Sequence, residues 1–137
     1  MDMELYITKH RVIQDYLRQL TDLVNGTIDK ANAPSIAELI NKTTGVLNMH
    51  LASEDHFVYP KLLESSDEKI RSITRSYMNE MTKIADSYLA FHKNFNTPSK
   101  ILANTDEFKK TFKQVRDALL MRMDREEKEL YTFTGRL

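Results

Sequence analysis

The chain has 137 residues, a length that suits one domain of ordinary size rather than two. Apolar residues make up 41% and charged residues 29%, enough to build a core, so a wholly disordered chain is excluded. Twenty basic residues balance twenty acidic ones, which argues against non-specific nucleic-acid binding, and the absence of cysteine excludes disulfides, thiolate nucleophiles and cysteine-ligated clusters.

No apolar run approaches the ~20 residues needed to cross a bilayer. The segment Met1-Asp2-Met3-Glu4-Leu5 has neither a basic stretch nor an apolar core, so no secretory signal is expected there. The expectation is a cytoplasmic protein, with residues 1–137 forming a single domain.

Taken in chain order, the sequence predicts four long helices, roughly residues 3–25, 35–64, 67–96 and 105–131. In the first, Tyr6, His10, Ile13, Leu17, Leu20 and Val24 recur at alternating spacings of four and three, and Asn25-Gly26 is expected to end it in the left-handed conformation. Pro34-Ser35 opens the second, with Ser35 and Glu38 spaced as a capping box. Its stripe holds Ile36, Leu39, Ile40, Thr43, Val46, Leu47, His50, Glu54 and Phe57, and Pro60 sits near its end. Gly45 falls in mid-helix, at a cost of about 1 kcal/mol relative to alanine.

Ser65-Ser66-Asp67-Glu68 reads as a loop and cap for the third helix, whose stripe is Ile70, Tyr77, Met81, Ile84, Tyr88, Phe91 and Phe95. Thr97-Pro98 ends it, and a short helix is expected around residues 99–103. Asn104-Thr105-Asp106-Glu107 caps the fourth, with Phe108, Phe112, Val115, Leu119, Arg122, Glu126 and Leu130 on one face. No stretch alternates like a strand. Short connections between long helices make an all-α, up-down-up-down antiparallel four-helix bundle the natural packing.

The polar members of these stripes carry the chemistry. A bundle core favours leucine and valine, yet His10, His50 with Glu54, and Arg122 with Glu126 occupy inward positions. Burying them unpaired costs several kcal/mol, so they must meet one another, water or a metal. Residues four apart lie about 40° from each other around a helix, so each pair points one way. Antiparallel packing brings His10, His50 and Glu126 to the same end, and two imidazoles with two carboxylates suit iron, manganese or zinc. His56 falls on another face, and His92 lies ~16 Å along the third helix from Met81, so both are expected outside the cluster. Met81, Tyr77 and Tyr88 read as packing residues. Lys109, Lys113 and Arg116 read as a solvated strip rather than a phosphate track.

His10, the segment His50-Leu51-Ala52-Ser53-Glu54-Asp55 with Tyr59-Pro60, and Glu126-Glu127 with Leu130-Tyr131 resemble the hemerythrin-like, HHE cation-binding family over nearly the whole chain. The resemblance implies a four-helix bundle with a non-haem di-iron centre, and roles in oxygen binding, oxygen or redox sensing, iron handling or nitric-oxide chemistry. It implies metal ligands at His10, His50, Glu54 and Glu126. Met81, after Glu80, stands where the third-helix histidine is expected, and Arg122 stands where the fourth-helix histidine is expected.

Ligands for one metal therefore remain while the histidines for its neighbour are lacking. A guanidinium ~4 Å from a divalent ion, at an effective dielectric near 20, adds roughly 8 kcal/mol of repulsion. Two readings stand. One is an iron-binding domain with a mononuclear site, whose partners are the metal and a diatomic gas. The other is a metal-free interaction module, binding another protein or a second copy, in which Arg122 pairs with Glu54 and Glu126 in place of metal. An oxidase or peroxidase at an open iron site is a third class, with no substrate pocket legible in the sequence.

Overall fold

The computed structural model describes residues 2–136; Met1 and Leu137, the outer residues of the expected domain, lie outside these. The chain forms α1 (Glu4–Asn25), α2 (Ala33–Ser53), a π-helical turn over Glu54–Val58, α3 (Tyr59–Leu63), α4 (Glu68–Phe95), α5 (Pro98–Ala103), α6 (Thr105–Lys128) and a 3-10 segment, Leu130–Arg136. There is no strand among the described residues.

Four long rods result, α2 and α3 being one rod joined through the π turn. Cross-helix contacts fix their directions. His10 meets Glu126 and Arg116 meets Thr21, so α1 and α6 run opposite ways. Tyr88 bonds Thr44 and His92 bonds Asn41, so α2 and α4 do the same. Tyr77 reaches Glu129 while Phe95 packs on Phe108, which sets α4 against α6. The bundle is antiparallel, as the short connections predict.

The helix ends follow side-chain chemistry. Asp67 accepts from the Lys69 amide, Thr97 from Lys100 and Asn104 from Glu107, each satisfying a donor that a first helical turn leaves free. Two sequence expectations fail here. Gly26 has φ −91° and ψ −166°, extended rather than left-handed. The Ser35–Glu38 box does not form, because α2 starts two residues earlier. Its entry is built by Asp29 instead, whose carboxylate accepts from the amides of Ala31 and Asn32.

The π turn corrects a third expectation. Pro60 has no N–H to donate, and its ring crowds the carbonyl one turn back. The helix accommodates this by widening, so that the Tyr59 amide bonds the Glu54 carbonyl five residues earlier. The extra residue advances the buried face. Val58, Tyr59 and Leu62 turn inward, while Phe57, expected on the stripe, is 63% exposed.

The apolar residues separate into two clusters. One holds Ile13, Leu17, Ile40, Leu47, Met81, Phe91, Phe112 and Leu119 among others. The second holds Met3, Val58, Tyr59, Leu62, Ile70, Tyr77, Leu130 and Tyr131 with Phe133. Every rod passes from the first to the second, and at the crossing level each of three carries polar residues: His10, His50 with Glu54, and Arg122 with Glu126.

Candidate metal centre

All five of those side chains are buried, His10 and Glu54 completely. The Nε2 atoms of His10 and His50 lie 3.0 Å apart, His10 Nε2 lies 3.0 Å from Glu126 Oε1, and His50 Nε2 lies 3.2 Å from Glu54 Oε1. Donor atoms of His10, His50 and Glu126 fall within 4.8 Å of one another, close enough to hold one ion. His56 is exposed, and His92 is occupied with Asn41 at the far side of the bundle. Both lie outside the cluster, as their positions along the helices predict.

The tautomer of His10 follows from its neighbours. Glu127 is held below its ordinary pKa: partial burial works the other way, but hydrogen bonds from Arg11 and His10 outweigh it. An ionised carboxylate only accepts, so His10 donates Nδ1–H to Glu127 Oε2 at 2.8 Å. Arg11 grips the same carboxylate through both terminal nitrogens, at 2.6 and 3.1 Å. In neutral His10 the Nε2 lone pair therefore faces inward. A carboxylate on the outer nitrogen of a metal-binding imidazole orients the ring and makes it a stronger ligand.

Electrostatics within the layer favour a cation. Burial opposes a charge on His50, but its bonds to Glu126 and Glu54 and their negative charge prevail and raise its pKa to about 9. Burial also opposes ionisation of Glu126, yet the bonds to His10 and His50 and the charge of Arg122 hold it well below the carboxylate range. Glu54 moves upward, chiefly through burial, with the Glu126 charge adding to it. His50 Nδ1 and Glu54 Oε1 are buried without a hydrogen-bond partner among the described residues. Metal–ligand bonds of about 2.1 Å put neighbouring ligands of an octahedral ion about 3.0 Å apart. Two separations in this half, 3.0 and 3.2 Å, match that spacing and the His50 Nε2–Glu126 Oε1 distance is 3.9 Å, so the residues present fit one metal ion.

The other half holds Arg122. Its Nε donates to Glu126 Oε2 at 3.0 Å, one terminal nitrogen donates to the Tyr77 carbonyl at 2.8 Å, and the other donates to the Tyr59 hydroxyl at 2.9 Å. The guanidinium also lies over the Tyr77 ring, 4.6 Å from its centroid, and is 3.4 Å from Glu80 Oε1. Pairing of Arg122 with Glu126 is as expected; pairing with Glu54 is not formed. Glu54 instead accepts from the Tyr131 hydroxyl at 2.9 Å. Met81 packs in the larger apolar cluster.

Tyr131 and Glu127 are the functional-site neighbours that stripe reasoning passes over. A signal for Tyr131 exists in the sequence: Glu54–Tyr59 and Glu126–Tyr131 share one spacing. The two phenols sit in opposite halves, Tyr59 on Arg122 and Tyr131 among the histidines.

A four-helix bundle with histidine and carboxylate side chains converging in a buried layer defines a metal-binding bundle protein. The sequence model of the hemerythrin HHE cation binding domain matches residues 2–134. The chain belongs to the hemerythrin HHE cation-binding family. Neither a curated protein nor a solved structure matches it.

Proposed function

We propose that this protein binds a single iron ion through His10, His50, Glu54 and Glu126, with Arg122 occupying the place of a second metal. The observation that carries this reading is the inward Nε2 of His10, on a ring held from its other nitrogen by Glu127 and 3.0 Å from both Glu126 Oε1 and His50 Nε2. One orphaned buried atom, Glu54 Oε1, supports it, since a metal-free layer would leave that oxygen uncompensated. The Arg122 half, by contrast, is satisfied by protein groups alone.

Iron held there supplies a redox-active centre able to take a small ligand. The chain's own residues orient His10, keep bulk water out and hold negative charge ready for the cation. A cavity of about 200 Å³ lies between α1 and α2, lined by Leu5, Tyr6, Lys9, Val46, Met49, His50 and Ser53. It is wide enough for a diatomic gas and apolar enough to favour one. The role that fits is sensing of oxygen, redox state or nitric oxide, or iron handling, rather than oxygen carriage by a paired-iron centre. No helix among the described residues is long and apolar enough to cross a membrane.

Anaerobic titration with ferrous iron tests this. One iron per chain is expected in the wild type and none in His50→Ala, because one imidazole with carboxylates makes a far weaker site. Two tightly bound irons would defeat the mononuclear reading. No binding would favour the metal-free interaction module, built on the Arg122–Glu126 pair.

A further inference from the structure

Tyr131 places its hydroxyl among all four proposed ligands. Its hydroxyl oxygen lies 2.9 Å from Glu54 Oε2, 3.2 Å from His10 Nε2, 3.3 Å from Glu126 Oε1 and 3.4 Å from His50 Nε2. A phenol has one proton to donate, and Glu54 Oε2, the nearest acceptor, takes it. The remaining contacts gather nitrogen and carboxylate donors around the same oxygen. That is the grouping expected around a metal ion with the oxygen as a member of the set.

The ring is held for this position. It stacks on His10 at 5.5 Å and 21°, and lies 6.0 Å from the Tyr6 ring. Its backbone is pinned in the 3-10 segment, where Thr134 donates its hydroxyl to the Tyr131 carbonyl at 2.7 Å. Leu130 and Phe133 anchor the segment in the smaller apolar cluster. The phenol is therefore presented without rotational search, from a segment outside the four long helices.

We propose that Tyr131 is a ligand to ferric iron in this site, bound as phenolate through its hydroxyl oxygen. The proposal rests on the reading that the His10–His50 half binds iron. Phenolate oxygen is a hard, anionic donor that suits a ferric ion, and it adds a ligand where the histidines of the other half are absent. As the iron–oxygen bond forms, the hydroxyl proton leaves for solvent. Iron already oxidised to the ferric state needs no further electron for this step.

The test loads the full chain with ferrous iron anaerobically, oxidises it with ferricyanide, which takes one electron per iron, and removes the oxidant by desalting. Iron per chain and visible absorption are then measured separately. The wild type should hold one iron and show a phenolate-to-iron charge-transfer band, with phenolate modes enhanced in the resonance Raman spectrum. Tyr131→Phe should keep its iron and lose the band. Tyr6→Phe, Tyr16→Phe, Tyr59→Phe, Tyr77→Phe and Tyr88→Phe should each keep both, which assigns the band to Tyr131 by elimination even if Tyr131→Phe does not fold. Iron bound without phenolate modes in the wild type overturns the Tyr131 assignment and leaves the iron site standing. Loss of the band in any of those five other variants, with iron retained, overturns it too. Absence of bound iron overturns both readings.

Discussion

A guanidinium keeps its proton at any pH the protein meets, so Arg122 brings a permanent positive charge into the buried layer. Its bonds to Glu126, the Tyr77 carbonyl and the Tyr59 hydroxyl leave its charge paired. Removing it should be costly without metal. Arg122→Ala strips the cation from Glu126 and leaves the Tyr59 hydroxyl without that partner, so urea melts of the metal-free protein should lose about 3–5 kcal/mol. Arg122→His should act in the other direction on binding, raising iron per chain above one in the ferrous titration. It removes the fixed charge and offers an imidazole facing Glu126. Histidine-for-arginine here is a change of charge logic, and unchanged stoichiometry would show that Arg122 is not what limits the site.

Among the elements, the π turn over Glu54–Val58 has the largest effect on which residues matter. It buries Leu62 completely and leaves Phe57 outside. Leu62→Ala should therefore cost about 2–5 kcal/mol in denaturant unfolding. Phe57→Ala, although it removes a larger side chain, should stay within about 0.5 kcal/mol. A helix with an unbroken α period would give Phe57 a much larger value. The stripes of α1, α4 and α6 were legible because 3.6-residue periodicity runs through them uninterrupted, from His10 to Val24 and from Phe108 to Glu126. Pro60 announced an irregularity without stating its form, since kink, break and widened turn share the same missing N–H. The entry to α2 is not legible from a capping box, because the turn before it is closed by Asp29, four residues before the helix, with no fixed-spacing signature.

For the molecule as a whole, stability and pH are tied through the layer. His50, raised to about 9 from 6.5, contributes stability that is complete below pH 6.5 and lost as pH climbs to about 9. Glu126, Glu127 and Glu80 are held below 4.5, so their contribution is present above that value and lost as pH falls. The metal-free protein should be most stable between about pH 5 and 6, with denaturation midpoints declining toward pH 9. Bound metal, taking the place of the His50 proton, should flatten that alkaline decline. The candidate ligands His10, His50, Glu54 and Glu126 could be found from the sequence because charged residues on an apolar stripe are conspicuous. Tyr131 lies beyond the α6 stripe and enters the sequence reading only through the family resemblance and its five-residue spacing from Glu126; the fold is what sets it beside His10. The division of the core into two apolar clusters carries a mechanical consequence. With only protons in the layer, the bundle is two small cores meeting at a polar seam, each able to open at its own free energy. An ion bridging α1, α2 and α6 acts as a rivet across that seam. Amide exchange should then separate into two protection levels in the metal-free chain and merge into one cooperative unit once iron is bound.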